Sequence, residues 1–292
     1  MKTILTFLYI PFLIIFCFAS NENELANRIN ALIALNDATI GIGIYNLKTK
    51  DAFYVNGNRK FAMVSVVKFP QALAVMQQVD SGNLSLDQKV HFGKDDLNPD
   101  AYSPILKDIP DSSFTITLYA ALSYTISKSD NNVCDKLFEL LGGPQTVEVF
   151  CKKIGCKNTT VGTDYRNMGT KTIFANETTP EDMIKLLVSF FNKKALSRKS
   201  TKVVWQKLVE TTTGPNRIKG RLPEGTIVGH KTGTSIRKNG LIDACNDVGI
   251  MKLPNGQHVA IVVFIRNSMK DVATNEALIA NIAKVACEYF NL

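Results

Sequence analysis

Ser65 and Lys68 are the side chains in this sequence best suited to nucleophilic catalysis, because they stand three positions apart in a largely apolar run. If a helix begins at Ser65, the Lys68 amine falls on the same helix face as the Ser65 hydroxyl. Pro70 supports this start, since proline is tolerated only near a helix N-terminus. A partly desolvated lysine beside other cations loses its proton more readily. The pattern therefore predicts a serine nucleophile with a lysine base, at a helix end that stabilises negative charge.

Other catalytic chemistries find little support in the sequence. His91, His230 and His258 lack the spacing of metal ligands, and there is no Cys-x-x-Cys, His-Glu-x-x-His, Gly-x-Ser-x-Gly or phosphate-binding loop. We therefore expect no metal and no cofactor, and a lysine or carboxylate as the catalytic base. The net charge of +8 is spread along the chain without a basic stripe, so no nucleic-acid partner is expected.

Two later motifs accompany the Ser65–Lys68 pair. The functional interpretation depends mainly on them, because a lone Ser-x-x-Lys is common in proteins. We interpret Asp130 as a structural hydrogen-bonding residue, since buried charges are usually paired. His230 is interpreted as a residue that fills its strand. The two motifs are Ser129-Asp130-Asn131 and His230-Lys231-Thr232-Gly233-Thr234.

With these motifs in this order, the sequence from about residue 25 to the C-terminus resembles the class A serine β-lactamases of the penicillin-recognising serine enzymes. Three further segments resemble the extended-spectrum branch found in Bacteroidetes-like members. The resemblance implies hydrolysis of β-lactam antibiotics, cyclic amides, through a serine acyl-enzyme, and hence antibiotic resistance. The further segments are Thr212-Thr213-Gly214-Pro215-Asn216-Arg217-Ile218-Lys219-Gly220, Leu222-Pro223-Glu224-Gly225-Thr226 and Asn246-Asp247-Val248-Gly249-Ile250.

The resemblance also implies roles for the residues of the first two motifs. Ser65 would open the lactam ring and become acylated, and Lys68 would help to deprotonate it. Ser129, hydrogen-bonded between two lysines, would pass a proton to the departing lactam nitrogen. Asn131 would bind the acylamide side chain of the drug.

The third motif would bind the opposite end of the substrate. By the same resemblance, Lys231 and Thr232 would hold the substrate carboxylate beside Gly233, and Arg217 would be an auxiliary cation. An alternative for Arg217 is an ordinary surface cation. The main-chain N–H groups of Ser65 and Thr234 would form the oxyanion hole.

The chain departs from the family where a glutamate normally activates the water that releases the acyl-enzyme. No glutamate stands at the expected place in the loop before Thr178-Thr179-Pro180. Alignment from the proline puts Thr163 or Asp164 there, and alignment from the start of the loop puts Arg166 there. Asp164 is the candidate base, although its side chain is shorter, and Glu177 lies too close to the proline. An alternative function is therefore a penicillin-binding or D,D-peptidase-like protein that deacylates slowly. A third is a non-catalytic envelope protein.

The N-terminal segment predicts export to the periplasm. Met1-Lys2 precede an apolar run without charge up to residue 20, so we interpret residues 1–20 as a signal peptide. A membrane anchor is the alternative, and a lipid-modified Cys17 is less favoured. Five cysteines follow, of which Cys151 and Cys156 could pair, although buried free thiols are preferred. The only expected partner is a small substrate, and the protein is expected to be a monomer.

The element pattern predicts an α/β (α+β) fold of two lobes within one domain, residues 21–292. Strand-like runs at 39–45, 52–55, 226–229, 247–251 and 258–265 predict a five-stranded antiparallel sheet, flanked by a first and a closing helix. Asn255-Gly256 predicts a hairpin before the last run. We expect an α/β lobe of residues 21–60 and 197–292, an inserted all-helical lobe of residues 61–196, and a cleft between them.

Overall fold

A computed structural model describes residues 21–34, 36–167 and 172–291. The predicted signal peptide, with Cys17, lies outside the described residues. In the part of the chain that is described, no helix combines the length and the apolar character that crossing a membrane requires. The first helix, α1 (Asn21–Ile33), lies where the sequence predicted one, and it buries Leu25 and Ile29.

The central sheet is antiparallel and contains the five predicted strands, with a two-residue strand added at one end. These strands are β1 (Thr39–Asn46), β2 (Ala52–Val55), β8 (Ile227–Thr234), β9 (Arg237–Lys238), β10 (Leu241–Lys252) and β11 (His258–Ser268). Their order is β2-β1-β11-β10-β8, and β9 pairs with the start of β10. Asn255-Gly256 forms the predicted hairpin turn, in which Gly256 has a φ of 81° that favours glycine.

Helices cover both faces of this sheet. Helix α9 (Val272–Phe290), the predicted closing helix, packs with α1 on one face, where Ile42, Ile261 and Ile279 share a core. Helix α7 (Pro180–Phe191) packs on β1 and β11 from the other face. Because both faces are covered, β11 is buried along most of its length. Each fully buried isoleucine contributes roughly 1.5–3 kcal/mol to folding.

The chain between β3 (Phe61–Ala62) and β8 is mainly helical, as predicted. Helix α2 (Lys68–Asp80) is buried from Lys68 to Met76 and contacts four other helices of this part. Side chains of Thr117, Asp130 and Ser197 accept hydrogen bonds from the first turns of the helices they precede, which fixes where these helices begin. The lobe boundaries near residues 60 and 197 stay a prediction. The remaining elements are α3 (Ile105–Asp108), α4 (Leu118–Ser127), α5 (Asn131–Leu140), α6 (Pro144–Ile154), α8 (Arg198–Val209), β3 (Phe61–Ala62), β4 (Lys89–Phe92), β5 (Phe114–Thr117), β6 (Thr160–Val161) and β7 (Asn176–Thr178).

The five cysteines of the described chain are buried free thiols, which confirms the preferred alternative for Cys151 and Cys156. Burial raises the pKa of the Cys156 thiol to about 12, because the thiolate would lose its hydration. The Cys156 thiol donates instead to the carbonyl oxygen of Asp182 at 3.2 Å. These thiols therefore act as small apolar core groups.

Candidate active site

Ser65 lies in a 3₁₀ turn, Val64–Val67, that leads directly into α2. The sequence predicted that the α-helix begins at Ser65, but it begins at Lys68. Pro70 lies in its first turn. Val64 has a φ of 47°, a left-handed conformation that costs a β-branched residue roughly 1–3 kcal/mol. Flanking hydrogen bonds hold this geometry: Met63 N donates to Asn176 O at 2.8 Å, and Asn246 Nδ2 donates to the neighbouring Ala62 O at 2.8 Å.

Lys68 is fully buried beside Ser65, and its Nζ lies 3.0 Å from the Ser65 Oγ. The same amine donates to Ser129 O at 2.8 Å and to Asn131 Oδ1 at 2.6 Å. Burial lowers the pKa of Lys68 to about 8, because the charged form loses hydration. A useful fraction of the amine is therefore uncharged near neutral pH and able to accept a proton from Ser65.

Ser129 bridges the two buried lysines of the site. Its Oγ accepts a hydrogen bond from Lys231 Nζ at 2.9 Å, and Lys68 Nζ lies 3.4 Å away on the other side. Ser129 has a φ of 59°, so the loop turns sharply before α5. Asp130 fixes this turn, because its buried carboxylate accepts hydrogen bonds from Ser103 Oγ and from the main chain of α5. These contacts agree with the structural role expected for Asp130.

Strand β8 carries the third motif along the edge of the sheet and past the Ser65 turn. A side chain at Gly233 would meet Met63 O at 2.6 Å and Ser65 N at 3.2 Å, so only glycine allows this approach. Burial, with Lys68 nearby, lowers the pKa of Lys231 well below its usual range. Thr232 Oγ1 lies 2.6 Å from Thr213 Oγ1.

His230, within this strand, and Arg217, beside it, are both buried. His230 is fully buried and its Nδ1 lies 2.8 Å from Asp247 Oδ2, so it is part of an internal polar pair as well as a strand residue. Arg217 is only 4% exposed, and the alternative of an ordinary surface cation is wrong. Its guanidinium donates to Thr234 Oγ1 at 2.6 Å and to Glu276 Oε1 at 3.1 Å.

The loop that lacks the expected glutamate brings a tyrosine to Ser65. Tyr165 Oη lies 2.9 Å from Ser65 Oγ, and its ring centroid lies 4.4 Å from Lys68 Nζ. Asp164 instead accepts hydrogen bonds from Asn167 N and Nδ2, both at 2.8 Å. Its assignment as the base stays a prediction. Tyr165 was not among the predicted site residues, and its only signal in the sequence is its position next to Asp164.

The other candidates in this loop lie elsewhere. Arg166 is exposed and lies 3.7 Å from Asp96, and Glu177 Oε2 lies 3.9 Å from Lys60 Nζ. Thr163 is buried, and its Oγ1 donates to the carbonyl oxygen of Asp164. None of these side chains hydrogen-bonds Ser65 in the described parts of the chain.

A cleft of about 560 Å³ opens over Ser65. Its floor includes Ser129, Asn131 and Thr232, and exposed apolar side chains such as Tyr102 and Ile236 stand at its rim. The described residues contain no cluster of three or more side chains suited to hold a metal ion. The arrangement can support a serine nucleophile, a lysine base and the recognition of an anionic small molecule.

Comparisons with known proteins identify the family. The family model described as the β-lactamase enzyme family matches residues 24–290. Beta-lactamase VEB-1 of Pseudomonas aeruginosa is 40% identical, with 99% of this chain and 97% of that protein aligned. Extended-spectrum beta-lactamase PER-1 of the same organism is 36% identical, with 91% and 87% aligned.

Solved structures agree in fold. The crystal structure of a β-lactamase from Chitinophaga pinensis matches with a TM-score of 0.89 and 38% identity, over 91% of this chain and 99% of that one. TLA-3 extended-spectrum β-lactamase matches with a TM-score of 0.90 and 36% identity, over 92% and 99%. The predicted resemblance and two-lobe fold are confirmed, and a slowly deacylating peptidase is not favoured. The chain belongs to the β-lactamase enzyme family as a class A serine enzyme, and it is a hydrolase of β-lactams.

Proposed function

We propose that the chain hydrolyses β-lactams through an acyl-enzyme on Ser65. The observation that carries this proposal is the 3.0 Å hydrogen bond between Ser65 Oγ and the buried Lys68 amine. Ser65 Oγ attacks the lactam carbonyl carbon while its proton moves to uncharged Lys68. The main-chain N–H groups of Ser65 and Thr234 donate hydrogen bonds to the carbonyl oxygen and stabilise the negative charge that develops on it. The lactam C–N bond then breaks and leaves an ester on Ser65.

Ser129 is the proposed proton donor to the departing lactam nitrogen. Its hydroxyl lies between two amines, at 2.9 Å from Lys231 Nζ and 3.4 Å from Lys68 Nζ. The proton that Lys68 removes from Ser65 can therefore pass through Ser129 to the nitrogen. Lys68 is then uncharged again, as it was before the reaction. This relay gives a function to a serine held between two buried lysines, an arrangement that costs desolvation energy.

The remaining site residues are proposed to orient the substrate. Thr232, Gly233 and Arg217 line the cleft where the substrate carboxylate would bind. The fully buried Lys231 adds positive charge beneath this part of the cleft. Asn131 is proposed to hold the acylamide side chain. Relatives named extended-spectrum β-lactamases support β-lactams as the class of substrate.

The site of action is proposed to be the periplasm, after removal of residues 1–20. The uncharged apolar run after Lys2 supports this proposal. The mature protein is proposed to act as a monomer. Osmotic-shock fractionation, N-terminal sequencing and light scattering of the purified protein test these points. Retention of residues 1–20 in the membrane fraction would favour the anchor instead.

Stopped-flow turnover of a chromogenic cephalosporin tests the proposed activity. We expect sustained colour change over many turnovers, and loss of the activity in Lys68→Ala. A burst of one equivalent followed by stalling would favour the slowly deacylating protein. No reaction would favour a non-catalytic envelope protein.

A further inference from the structure

The loop between β6 and β7 places a phenol against the oxygen of Ser65, the atom that acylation would turn into an ester oxygen. Among the described residues, only Lys68 Nζ and Tyr165 Oη form hydrogen bonds with Ser65 Oγ, at 3.0 and 2.9 Å. The Tyr165 ring also lies over the Lys68 amine, with 4.4 Å from Nζ to the ring centroid. The nucleophile, the amine and the phenol thus form one contiguous group.

A main-chain hydrogen bond holds Tyr165 in this place. Its main-chain N donates to Asp135 Oδ1 at 2.7 Å, and Asp135 lies in α5, the helix that begins after the Ser129 loop. Burial raises the pKa of Tyr165 well above 10, so the phenol stays protonated at neutral pH. A neutral phenol can donate one hydrogen bond and accept another.

Three carboxylates in and around this loop have other partners. Asp164 accepts from Asn167, Glu177 faces Lys60, and Asp135 accepts from Tyr165 N. Residues 168–171, Met-Gly-Thr-Lys in sequence, contain no carboxylate. The groups that touch the Ser65 oxygen are therefore an amine and a phenol.

We propose that Tyr165 is a catalytic residue of deacylation, whose hydroxyl binds the attacking water beside the Ser65 ester while uncharged Lys68 takes the proton of that water. This inference rests on the proposed acyl-enzyme. Acylation turns the Ser65 hydroxyl into an ester oxygen, a poorer hydrogen-bond acceptor, and this frees the Tyr165 hydroxyl to hold water.

The atoms of the step balance. The water oxygen forms a bond to the ester carbonyl carbon, and its proton passes to Lys68 Nζ. The bond between that carbon and Ser65 Oγ then breaks, and Lys68 returns the proton to Ser65 Oγ. The product carboxylic acid leaves, and the 3.0 Å contact between Lys68 and Ser65 is restored.

Tyr165→Phe tests the proposal, because it removes the hydroxyl and keeps the ring over Lys68. Tyr124→Phe is the matched control. Its hydroxyl also bonds a neighbour, Asp108 at 2.9 Å, and its ring also lies beside a lysine amine, Lys128 at 4.6 Å, but away from the cleft. Acylation and deacylation rate constants are measured by stopped flow, and unfolding in urea checks that both variants fold.

We expect Tyr165→Phe to lower the ratio of the deacylation to the acylation rate constant by roughly tenfold to hundredfold, as loss of a positioned water does. Tyr124→Phe should leave the ratio unchanged. An unchanged ratio in Tyr165→Phe would overturn the proposal, and a higher ratio would mean that the phenol blocks the water. If wild-type protein forms no acyl adduct at all, the proposed function fails instead.

Discussion

Replacing Arg217 with alanine should destabilise the fold. The change would leave Glu276, whose side chain is 14% exposed, and the carbonyl oxygens of Gly233 and Asn246 without this donor. Breaking one partner of a buried, hydrogen-bonded ion pair costs about 3–5 kcal/mol. We expect the free energy of unfolding to fall by about 3 kcal/mol, or the Tm to fall by roughly 6–12 °C for a chain of this size.

The same change should weaken substrate binding, because Arg217 lines the cleft beside Thr234. Loss of about 1.4 kcal/mol of attraction to the substrate carboxylate would raise KM roughly tenfold. Urea unfolding and steady-state hydrolysis measure the two effects. Arg221→Ala, which removes an exposed guanidinium bound to Asn281, is the control and should change stability by less than about 0.5 kcal/mol. If Arg217→Ala has the same free energy of unfolding as wild type, the buried ion pair with Glu276 does not stabilise the fold.

Three further changes have defined outcomes. Since the pKa of Lys68 is about 8, its uncharged fraction rises about tenfold from pH 7 to pH 9, and the single-turnover acylation rate should rise with it; a flat profile contradicts the base role. Asp164→Asn should leave the acyl-enzyme lifetime within about twofold of wild type, because Tyr165 and not Asp164 contacts Ser65; a tenfold longer lifetime, seen by mass spectrometry, would make Asp164 the base. Asp130→Ala should cost about 3 kcal/mol in urea unfolding, because several buried donors lose their acceptor, and full stability would refute its structural role.

The sequence predicts the meeting of the three motifs but not the exact backbone around them. Apolar periodicity identifies the sheet and the two terminal helices, since a strand or helix must bury one face. The strand-like run at residues 226–229 continues to Thr234 as β8, so His230 lies in a strand as expected. Its polar residues stay extended because β10 pairs with them along the whole motif. The local strand propensity of these residues does not predict this pairing.

Individual side-chain contacts between distant segments could not be predicted from the sequence. Arg217 looked like either a surface or a site cation because its partner, Glu276, stands far along the chain in α9. Tyr165 could not be identified beyond its position next to Asp164, because its contact with Ser65 depends on the path of an irregular loop and on Asp135, which binds its main-chain N–H. Such positions follow from tertiary packing and not from motif spacing.

The formation of an acyl-enzyme on Ser65 is tested most directly by mass spectrometry. The protein is quenched during turnover of a slowly hydrolysed β-lactam. We expect an adduct whose added mass equals that of the intact drug, located on Ser65 by peptide mapping and absent from Ser65→Ala. An adduct of that mass on Ser65→Ala, or on any other residue of the wild-type protein, would contradict this expectation.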